Sequence, residues 1–202
     1  MAEGEVVRIV LATHNAGKRR EWAALLDGLA LELVLPEEVG IEAQVKETGT
    51  TYAANALIKA RTLAEASDMP ALADDSGLEV DALDGAPGVH SARFRPGPDE
   101  VRYAALLRAL EGIPEPERTA RFRCVAALVL PDGVSHVTEG VCEGVIALEP
   151  SGEHGFGYDP VFLLPKIGRT MAELSPDVKN RISHRARAAQ SMRPLLQEVL
   201  GV

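Results

Sequence analysis

Residues 73–78 of this chain read Ala-Asp-Asp-Ser-Gly-Leu, and a short apolar run, Met69 to Ala73, precedes the two carboxylates. Successive side chains of a strand point to opposite faces of a sheet, so Asp74 and Asp75 cannot both face the core. Ser76-Gly77 is a turn signal, and a solvated turn is the simplest interpretation of these six residues. A cleft or a metal site is the alternative, and the rest of the chain has to decide between them.

Strand and helix patterns alternate on both sides of this stretch. The predicted elements are, in chain order, a strand at 6–12, a helix at 19–29, a strand at 31–35, a helix from Thr50 or Thr51 to about Ser67, the Asp-Asp strand, a helix opened by Pro98-Asp99, strands at 121–130 and 134–148, and a helix from near Ser183 to about Leu200. The two long strands read as a hairpin, and Pro194 predicts a kink or break in the last helix. Together these elements predict a mixed sheet with helices packed on it.

Composition places the chain among soluble globular proteins. It has 202 residues, 46% of them hydrophobic and 25% charged, with a net charge of −9. That charge argues against a nucleic-acid coat or an anionic membrane surface as the partner. Two cysteines, Cys124 and Cys142, are too few for a disulfide framework or a zinc site.

The N-terminus carries no targeting signal that we can recognise. Met1 to Arg8 has no apolar core and no cleavage-like site, and no apolar run approaches the ~20 residues that span a bilayer. We expect a soluble, cytoplasmic protein.

The first chemical motif is the strand, turn and helix around residues 13–18, Thr-His-Asn-Ala-Gly-Lys. A helix N-terminus presents unpaired N–H groups and the positive end of a dipole, which suits phosphate, and Lys18 adds a charge. The pattern is not a P-loop, because the second Gly and the hydroxyl after the lysine are missing. A simple helix cap by Thr13 or Asn15 is the alternative.

The second motif surrounds Glu47, with Asn55 and Lys59 on the helix that follows. Asn55 and Lys59 are four residues apart and therefore share a helix face. Glu47 could be a metal ligand or an ordinary carboxylate near a helix start.

Two further motifs lie in the C-terminal third. Phe-Gly-Tyr-Asp-Pro (156–160) lies in the Gly-rich turn 152–160, where a backbone can approach a ligand closely and Phe156 offers a face for stacking a base. A tight turn with its aromatic side chains packed on the core is the alternative. Residues 179–187 contain one Lys and three Arg without an acid. Ser183 is a natural N-cap there, so His184 and Arg185 would oppose the helix dipole, which favours an anionic or carbonyl-bearing ligand over a solvated basic face.

Taken together, six motifs resemble one family, the non-canonical purine nucleoside triphosphate pyrophosphatases that act on inosine and xanthosine triphosphates. The motifs are, in chain order, Thr-x-Asn-x-x-Lys (13–18), Glu-Thr-Gly (47–49) before the helix with Asn55 and Lys59, Ala-Asp-Asp-Ser-Gly-Leu (73–78), Gly-Ala-Pro-Gly (85–88) with Ser-Ala-Arg (91–93), Phe-Gly-Tyr-Asp-Pro (156–160) and Ser-His-Arg (183–185). The resemblance extends from Val7 to about Leu200. His14 stands where the family often has Gly.

The resemblance implies a single domain over residues 1–202, an elongated mixed α/β sheet with flanking helices and two lobes around a central active-site cleft. It implies Mg²⁺-dependent hydrolysis of ITP, dITP or XTP to the monophosphate and pyrophosphate, which cleanses the nucleotide pool. A homodimer is expected from the family and from the prevalence of two-fold symmetry.

The resemblance also assigns roles residue by residue. Asp75 corresponds to the catalytic base and a metal-linked carboxylate, Glu47 to a second metal ligand, and Asp74 to a supporting group. The implied substrate-binding residues are Thr13, His14, Asn15, Ala16, Gly17, Lys18, Lys59, Ser76, Phe156, Gly157, Tyr158, Asp159, Lys179, His184 and Arg185.

Other functions stay open. A non-catalytic nucleotide sensor would need the phosphate and base motifs but not the acids Glu47, Asp74 and Asp75. A phosphate-monoester hydrolase or a phosphotransferase could use the Asp-Asp pair on another bond. A pyrophosphatase of pyrimidine or modified nucleotides is the closer alternative.

Overall fold

Seven strands form one mixed sheet in the computed structural model, which describes residues 6–42 and 45–202. In chain order the strands are β1 (Val7–Leu11), β2 (Leu31–Val34), β3 (Ala71–Val80), β4 (Thr119–Val129), β5 (Ser135–Ile146), β6 (Phe162–Leu164) and β7 (Arg169–Thr170). Their order across the sheet is β2-β1-β3-β4-β5-β6-β7. β1 runs parallel to β2 and β3, whereas β6 is antiparallel to β5 and β7, so the sheet is mixed as expected.

The helices are α1 (Ala16–Leu25), α2 (Tyr52–Ser67), α3 (Asp99–Ala109), α4 (Pro176–Ile182) and α5 (His184–Leu200). Side-chain caps begin three of them. Asn15 accepts a hydrogen bond from the Lys18 amide, Thr51 from the Ala54 amide, and Ser183 from the Ala186 amide. Each cap satisfies an amide that has no partner within its helix. Thr51 and Ser183 are the caps that the sequence predicts.

Contacts divide the chain into two compact units. Unit 1 comprises the described part of Met1–Asp75 together with Cys124–Gly140 and Arg187–Val202. Its core joins β1, β3 and β4 to apolar side chains of α1 and α5, among them Trp22 and Met192, both fully buried.

Unit 2 comprises Ser76–Arg123 and Val141–Ala186. Its core contains Leu106 and Leu110 near the end of α3, Phe122 of β4 and Phe162 of β6, and the two phenylalanine rings lie 4.4 Å apart. The single domain of two lobes and the cleft between them stay predictions.

The Asp-Asp stretch differs from the turn interpretation. β3 runs without interruption through Ser76 and Gly77 to Val80, and both Asp74 and Asp75 are buried. The turn interpretation is wrong because β3 continues beside β4 beyond its pairing with β1, and strand pairing overrides a local Ser-Gly preference.

The sequence also misplaces or misses smaller elements. α1 begins at Ala16 and ends at Leu25, so residues 16–18 form its first turn and do not belong to a preceding loop. β6, β7 and α4 carry no strong periodicity in the sequence, and they are only three, two and seven residues long. Pro194 lies inside α5, which continues past it to Leu200.

The fold class, α/β with a mixed sheet flanked by helices, is confirmed. Among the described residues, no helix combines the length and apolarity that a membrane crossing requires.

Candidate active site

Asp74 and Asp75 have separate sets of partners, as the alternation of a strand requires. The Asp74 side chain is fully buried. Trp22 Nε1 donates a hydrogen bond to its Oδ1 at 3.0 Å, the Lys18 ammonium lies 2.9 Å from its Oδ2, and Cys124 Sγ lies 3.7 Å from the same oxygen. A buried carboxylate is stable only where cations and donors surround it, and α1 and β4 supply both here.

Asp75 is held by α2. Asn55 Nδ2 donates to Asp75 Oδ2 at 3.1 Å, and Lys59 Nζ donates to Asp75 Oδ1 at 3.3 Å. The two partners are one helical turn apart on the same face of α2, as their spacing predicts. Asp75 therefore has a fixed orientation in which each carboxylate oxygen meets a different donor.

Lys59 joins the two carboxylates that the resemblance assigns to a metal. Its ammonium donates to Glu47 Oε1 at 2.8 Å as well as to Asp75. Burial lowers the pKa of Lys59, but the negative charge of Asp75, then that of Asp74, and then the hydrogen bond and charge of Glu47 outweigh it. The pKa of Lys59 therefore lies above its ordinary value, and the side chain stays an ammonium.

Lys18 and Lys59 also converge on one backbone atom. The carbonyl oxygen of Asp74 accepts a hydrogen bond from Lys59 Nζ at 2.8 Å and from Lys18 Nζ at 3.4 Å. Lys18 comes from α1 and Lys59 from α2, and both reach the part of β3 beyond the last residue paired with β1. Ligands of open α/β sheets bind at this carboxyl end of parallel strands.

The loop before α1 is ordered by hydrogen bonds of its own side chains and amides, beside Lys18. Thr13 Oγ1 accepts from the Asn15 amide at 3.1 Å, and Asn15 Oδ1 caps the helix through the Lys18 amide at 2.9 Å. His14, Asn15 and Ala16 are exposed, and Gly17 is buried. The loop is thus both a helix cap and an open helix N-terminus.

Gly49 allows the segment with Glu47 to approach α2. The Gly49 amide donates to Asn55 Oδ1 at 2.8 Å. A Cβ at this position would lie 2.7 Å from both Asn55 Oδ1 and the Ala54 Cβ, closer than real contacts allow. We call Lys18, Glu47, Lys59, Asp74 and Asp75 the lysine–carboxylate group, and all five belong to unit 1.

A second group of predicted residues lies in unit 2, around residues 155–159, which we call the aromatic turn. Asp159 Oδ2 accepts from the Phe156 amide at 2.9 Å and pairs with the Lys179 ammonium. Gly155 has a φ of +77°, and a Cβ there would lie 2.0 Å from Asp159 Oδ2. Only glycine fits this position.

Cations surround the Phe156 ring. Lys179 Nζ lies 4.8 Å from its centroid, and the guanidinium carbon of Arg185 lies 5.7 Å from it. Both distances suit a cation–π contact. The half-buried Phe156 ring could stack on a base. The two adjacent cations could neutralise the polar edge of that base or donate hydrogen bonds to it.

His184 and Arg185 are buried at the start of α5. The His184 ring stacks on Phe122 with centroids 4.7 Å apart, and Arg185 Nη2 donates to Ser76 Oγ at 2.9 Å. A histidine and an arginine in the first turn of a helix oppose its dipole, as the sequence indicates, and the structure keeps both out of solvent.

Tyr158 is the member of the aromatic turn whose side chain faces inward. Its hydroxyl donates to the Ser91 carbonyl at 2.9 Å, and burial raises the pKa of the hydroxyl to about 12. If residues 156–159 hold a nucleotide as predicted, Tyr158 can contribute only through its backbone.

Some partners of these groups lie outside the six sequence motifs. They are Trp22, Asp99, Phe122 and Cys124. Trp22 was recognisable only as a core residue, although a buried indole N–H normally needs an acceptor, and that requirement is the available signal. Asp99, whose Oδ2 accepts from the Gly157 amide at 2.5 Å, was recognisable only as a helix start.

Comparison with known proteins agrees with the motifs. A family model described as the Ham1 family matches residues 9–195. The chain belongs to the Ham1 family. It is 49% identical over 195 residues to a dITP/XTP pyrophosphatase of Geobacillus kaustophilus, covering 96% of each chain, and 43% identical over 190 residues to one of Bacillus subtilis, covering 93% of this chain and 96% of that one.

Solved structures give the same result. A HAM1 protein from Coxiella burnetii superposes with a TM-score of 0.86 at 43% identity, covering 95% of this chain and 99% of that chain. A nucleoside-triphosphatase / dITP/XTP pyrophosphatase from Mycobacterium abscessus has a TM-score of 0.75 at 43% identity, with coverage of 93% and 100%. The family and the enzyme class predicted from the motifs are thus confirmed.

Proposed function

We propose that this Ham1 protein hydrolyses ITP, dITP and XTP to the monophosphate and pyrophosphate, with Mg²⁺, and so removes these nucleotides from the pool. The observation that carries the proposal is the lysine–carboxylate group, in which two lysines and three acids meet at the end of parallel strand β1. The names of the relatives, dITP/XTP pyrophosphatases, support the substrate class.

The donor set of the group fits Mg²⁺. One ammonium, that of Lys59, contacts both Glu47 and Asp75, so the two carboxylates are close enough to share a cation. No three His, Cys, Asp or Glu side chains in the described ranges 6–42 and 45–202 form a metal cage. Mg²⁺ usually binds through one or two carboxylates plus substrate phosphates, and Glu47 and Asp75 would be that pair.

The bound ion would neutralise charge on the phosphates, and the remaining steps belong to the chain. Residues 13–18, through the exposed N-terminus of α1 and the Lys18 ammonium, would bind the triphosphate together with Lys59 and stabilise the leaving pyrophosphate. Asp75 would orient the attacking water and accept its proton, because Asn55 and Lys59 fix its carboxylate. Positioning and charge neutralisation are the main sources of catalysis in phosphoryl transfer.

The aromatic turn and the start of α5 would hold the base. Phe156 would stack on it, and Lys179, His184 and Arg185 would act at its edge, with Ser76 holding the Arg185 guanidinium. Hypoxanthine and xanthine carry a 6-keto acceptor, whereas adenine carries a 6-amino donor. Arg185 can only donate, so it favours the keto bases. Guanine shares the keto group, and we propose that the surroundings of C2 near residues 156–159 disfavour its 2-amino group.

The cytoplasmic location and the homodimer are also proposals. Two-fold symmetric dimers are the commonest soluble oligomers. Sedimentation of the purified protein at several concentrations tests the dimer, and a monomer at all of them contradicts it.

A nucleotide panel tests the function. Purified protein with Mg²⁺ is incubated with ITP, dITP, XTP, GTP, ATP, UTP and a phosphate monoester, and pyrophosphate and orthophosphate are measured separately. We expect pyrophosphate from the inosine and xanthosine nucleotides. Orthophosphate as the main product would indicate a phosphatase or a phosphotransferase. Nucleotide binding without turnover would indicate a sensor, and a preference for UTP would indicate a pyrimidine nucleotide pyrophosphatase.

A further inference from the structure

Two neighbouring amides of the aromatic turn are held by two different carboxylates. The Phe156 amide donates to Asp159, within the turn itself. The Gly157 amide donates to Asp99 Oδ2 at 2.5 Å, across a separation of 58 residues in the chain. The second bond ties the turn to another element of unit 2, the helix α3.

Asp99 is itself held in place. It is the first residue of α3, where a carboxylate is favoured by the helix dipole. Its Oδ1 pairs with Arg102 one turn later, and Arg102 Nη1 donates to the Gly97 carbonyl at 2.6 Å. One oxygen of Asp99 is therefore committed to the helix, and the other to the turn.

Packing does not support the turn on the side of α3. A cavity of about 440 Å³ lies there, lined by Asp99, Glu100 and Tyr103 of α3 and by residues of the segment 150–157, including Phe156. Side chains bordering an open cavity have fewer contacts to restrain them. The hydrogen bond from Gly157 to Asp99 thus carries a restraint that packing would otherwise supply.

We propose that Asp99 is a positioning residue for base selection. Its carboxylate holds the Gly157 amide and so fixes the turn that presents the Phe156 ring next to Lys179 and Arg185. The inference rests on the proposed function, because it assigns the base-binding role to the aromatic turn. Without Asp99 the backbone of the turn can shift toward the cavity, and the Phe156 ring is then no longer held beside Lys179 and Arg185.

The expected effect is on binding and selectivity and not on the chemical step. Asp99→Ala should raise KM for ITP about tenfold, the worth of one charge-assisted hydrogen bond, while kcat stays within about twofold. KM for ATP should rise less, because adenine lacks the keto group that the cations bind, so the ratio of kcat/KM between ITP and ATP falls. Asp99→Asn keeps an acceptor oxygen and should restore KM to within about threefold of the wild type.

Glu100→Ala is the matched control. Glu100 is exposed, lies in the same first turn of α3 and lines the same cavity. Glu100→Ala removes the same charge from the N-terminus of α3 as Asp99→Ala does. It therefore reports any effect that arises from α3 alone, and we expect this variant to keep the wild-type ratio of kcat/KM between ITP and ATP. Asp99→Ser keeps a side-chain oxygen at the first position of α3 on a shorter side chain, and it replaces the Ala variant if the latter does not fold.

Steady-state kinetics on ITP and ATP, thermal melting, and calorimetric titration with inosine monophosphate in EDTA provide the readouts. A fall in the ITP-to-ATP ratio and a matching loss of monophosphate affinity in Asp99→Ala or Asp99→Ser, absent in Glu100→Ala, supports the proposal. An unchanged ratio, an equal loss for both nucleotides, or the same effect in Glu100→Ala overturns it. If the wild type releases no pyrophosphate from any inosine or xanthosine nucleotide, it is the proposed function that fails.

Discussion

The lysine–carboxylate group and the aromatic turn achieve order by different means. In the first, a strand and two helices fix four of the five charges: Asp74 and Asp75 are consecutive in β3, and Lys18 and Lys59 project from α1 and α2, while Glu47 precedes α2. In the second, no regular element covers Gly155–Tyr158, and backbone amides bonded to Asp159 and Asp99 set the geometry. Substitutions in the first should therefore change turnover and stability, and those in the second should change selectivity.

The largest effect is expected at Asp75. Asp75→Asn removes the proposed base and should lower kcat by roughly 10²–10⁴-fold. We expect the fold to survive, because Asn has nearly the same shape and keeps one of the two acceptor oxygens that Asn55 and Lys59 bond. Pyrophosphate release and circular dichroism measure the two properties. Asp74→Asn is the matched change on the adjacent residue, and we expect a far smaller loss of kcat from it.

Near-normal turnover of Asp75→Asn would contradict this prediction and make Asp75 a structural residue. Glu47→Gln should do less damage than Asp75→Asn, and high Mg²⁺ should partly rescue it, because only one proposed ligand is lost.

Lys18 tests whether the charge of Asp74 requires a partner. Lys18→Met leaves the fully buried Asp74 carboxylate without its ammonium, and loss of one member of a buried pair costs about 3–5 kcal/mol. Urea unfolding measures the loss. Arg8→Met breaks a pair with Glu32 in which both side chains are at least half exposed, so it should cost about 0–1 kcal/mol. Equal losses in the two variants would contradict the distinction.

Arg185 tests the assignment of the aromatic turn to the base. Arg185→Ala should lower kcat/KM for ITP more than for ATP and narrow their ratio by about tenfold, the worth of one hydrogen bond from a charged donor. A site that donates hydrogen bonds to the 6-keto group discriminates against adenine, which lacks that group, and the variant should lose part of this discrimination. A uniform loss over all nucleotides would make Arg185 a phosphate contact.

Tyr158 provides an effect on stability that depends on pH. Its pKa of about 12 in the folded protein exceeds the ordinary value of 10, so its contribution to stability is complete below pH 10 and is lost as pH rises through 12. At about pH 11 the wild type should have lost about 1.4 kcal/mol relative to Tyr158→Phe. Urea unfolding of both proteins at pH 9 and 11 measures the difference, and a constant difference would contradict the raised pKa.

The sequence predicted most of the regular elements because each has a local signal. Thr51 and Ser183 cap their helices as expected, and the Pro-Asp-Gly connection joins β4 to β5. β6, β7 and α4 had no such signal, since strands of two or three residues exist only through their neighbours in the sheet. The Ser-Gly turn failed for the opposite reason: a real local signal was outweighed because β3 continues as a strand beside β4.

The sequence alone also determined the family, the enzyme class and the identity of the charged residues. It could do so because the motifs and their order are read from the chain without knowledge of any contact. Only the tertiary structure decided which charge meets which. That Asp74 faces Trp22 and Lys18, that Asp75 faces Asn55 and Lys59, and that Asp99 bonds an amide 58 residues away depend on how strands and helices pack. A local pattern has no information on such distances, because side-chain partners far apart in sequence are set by packing.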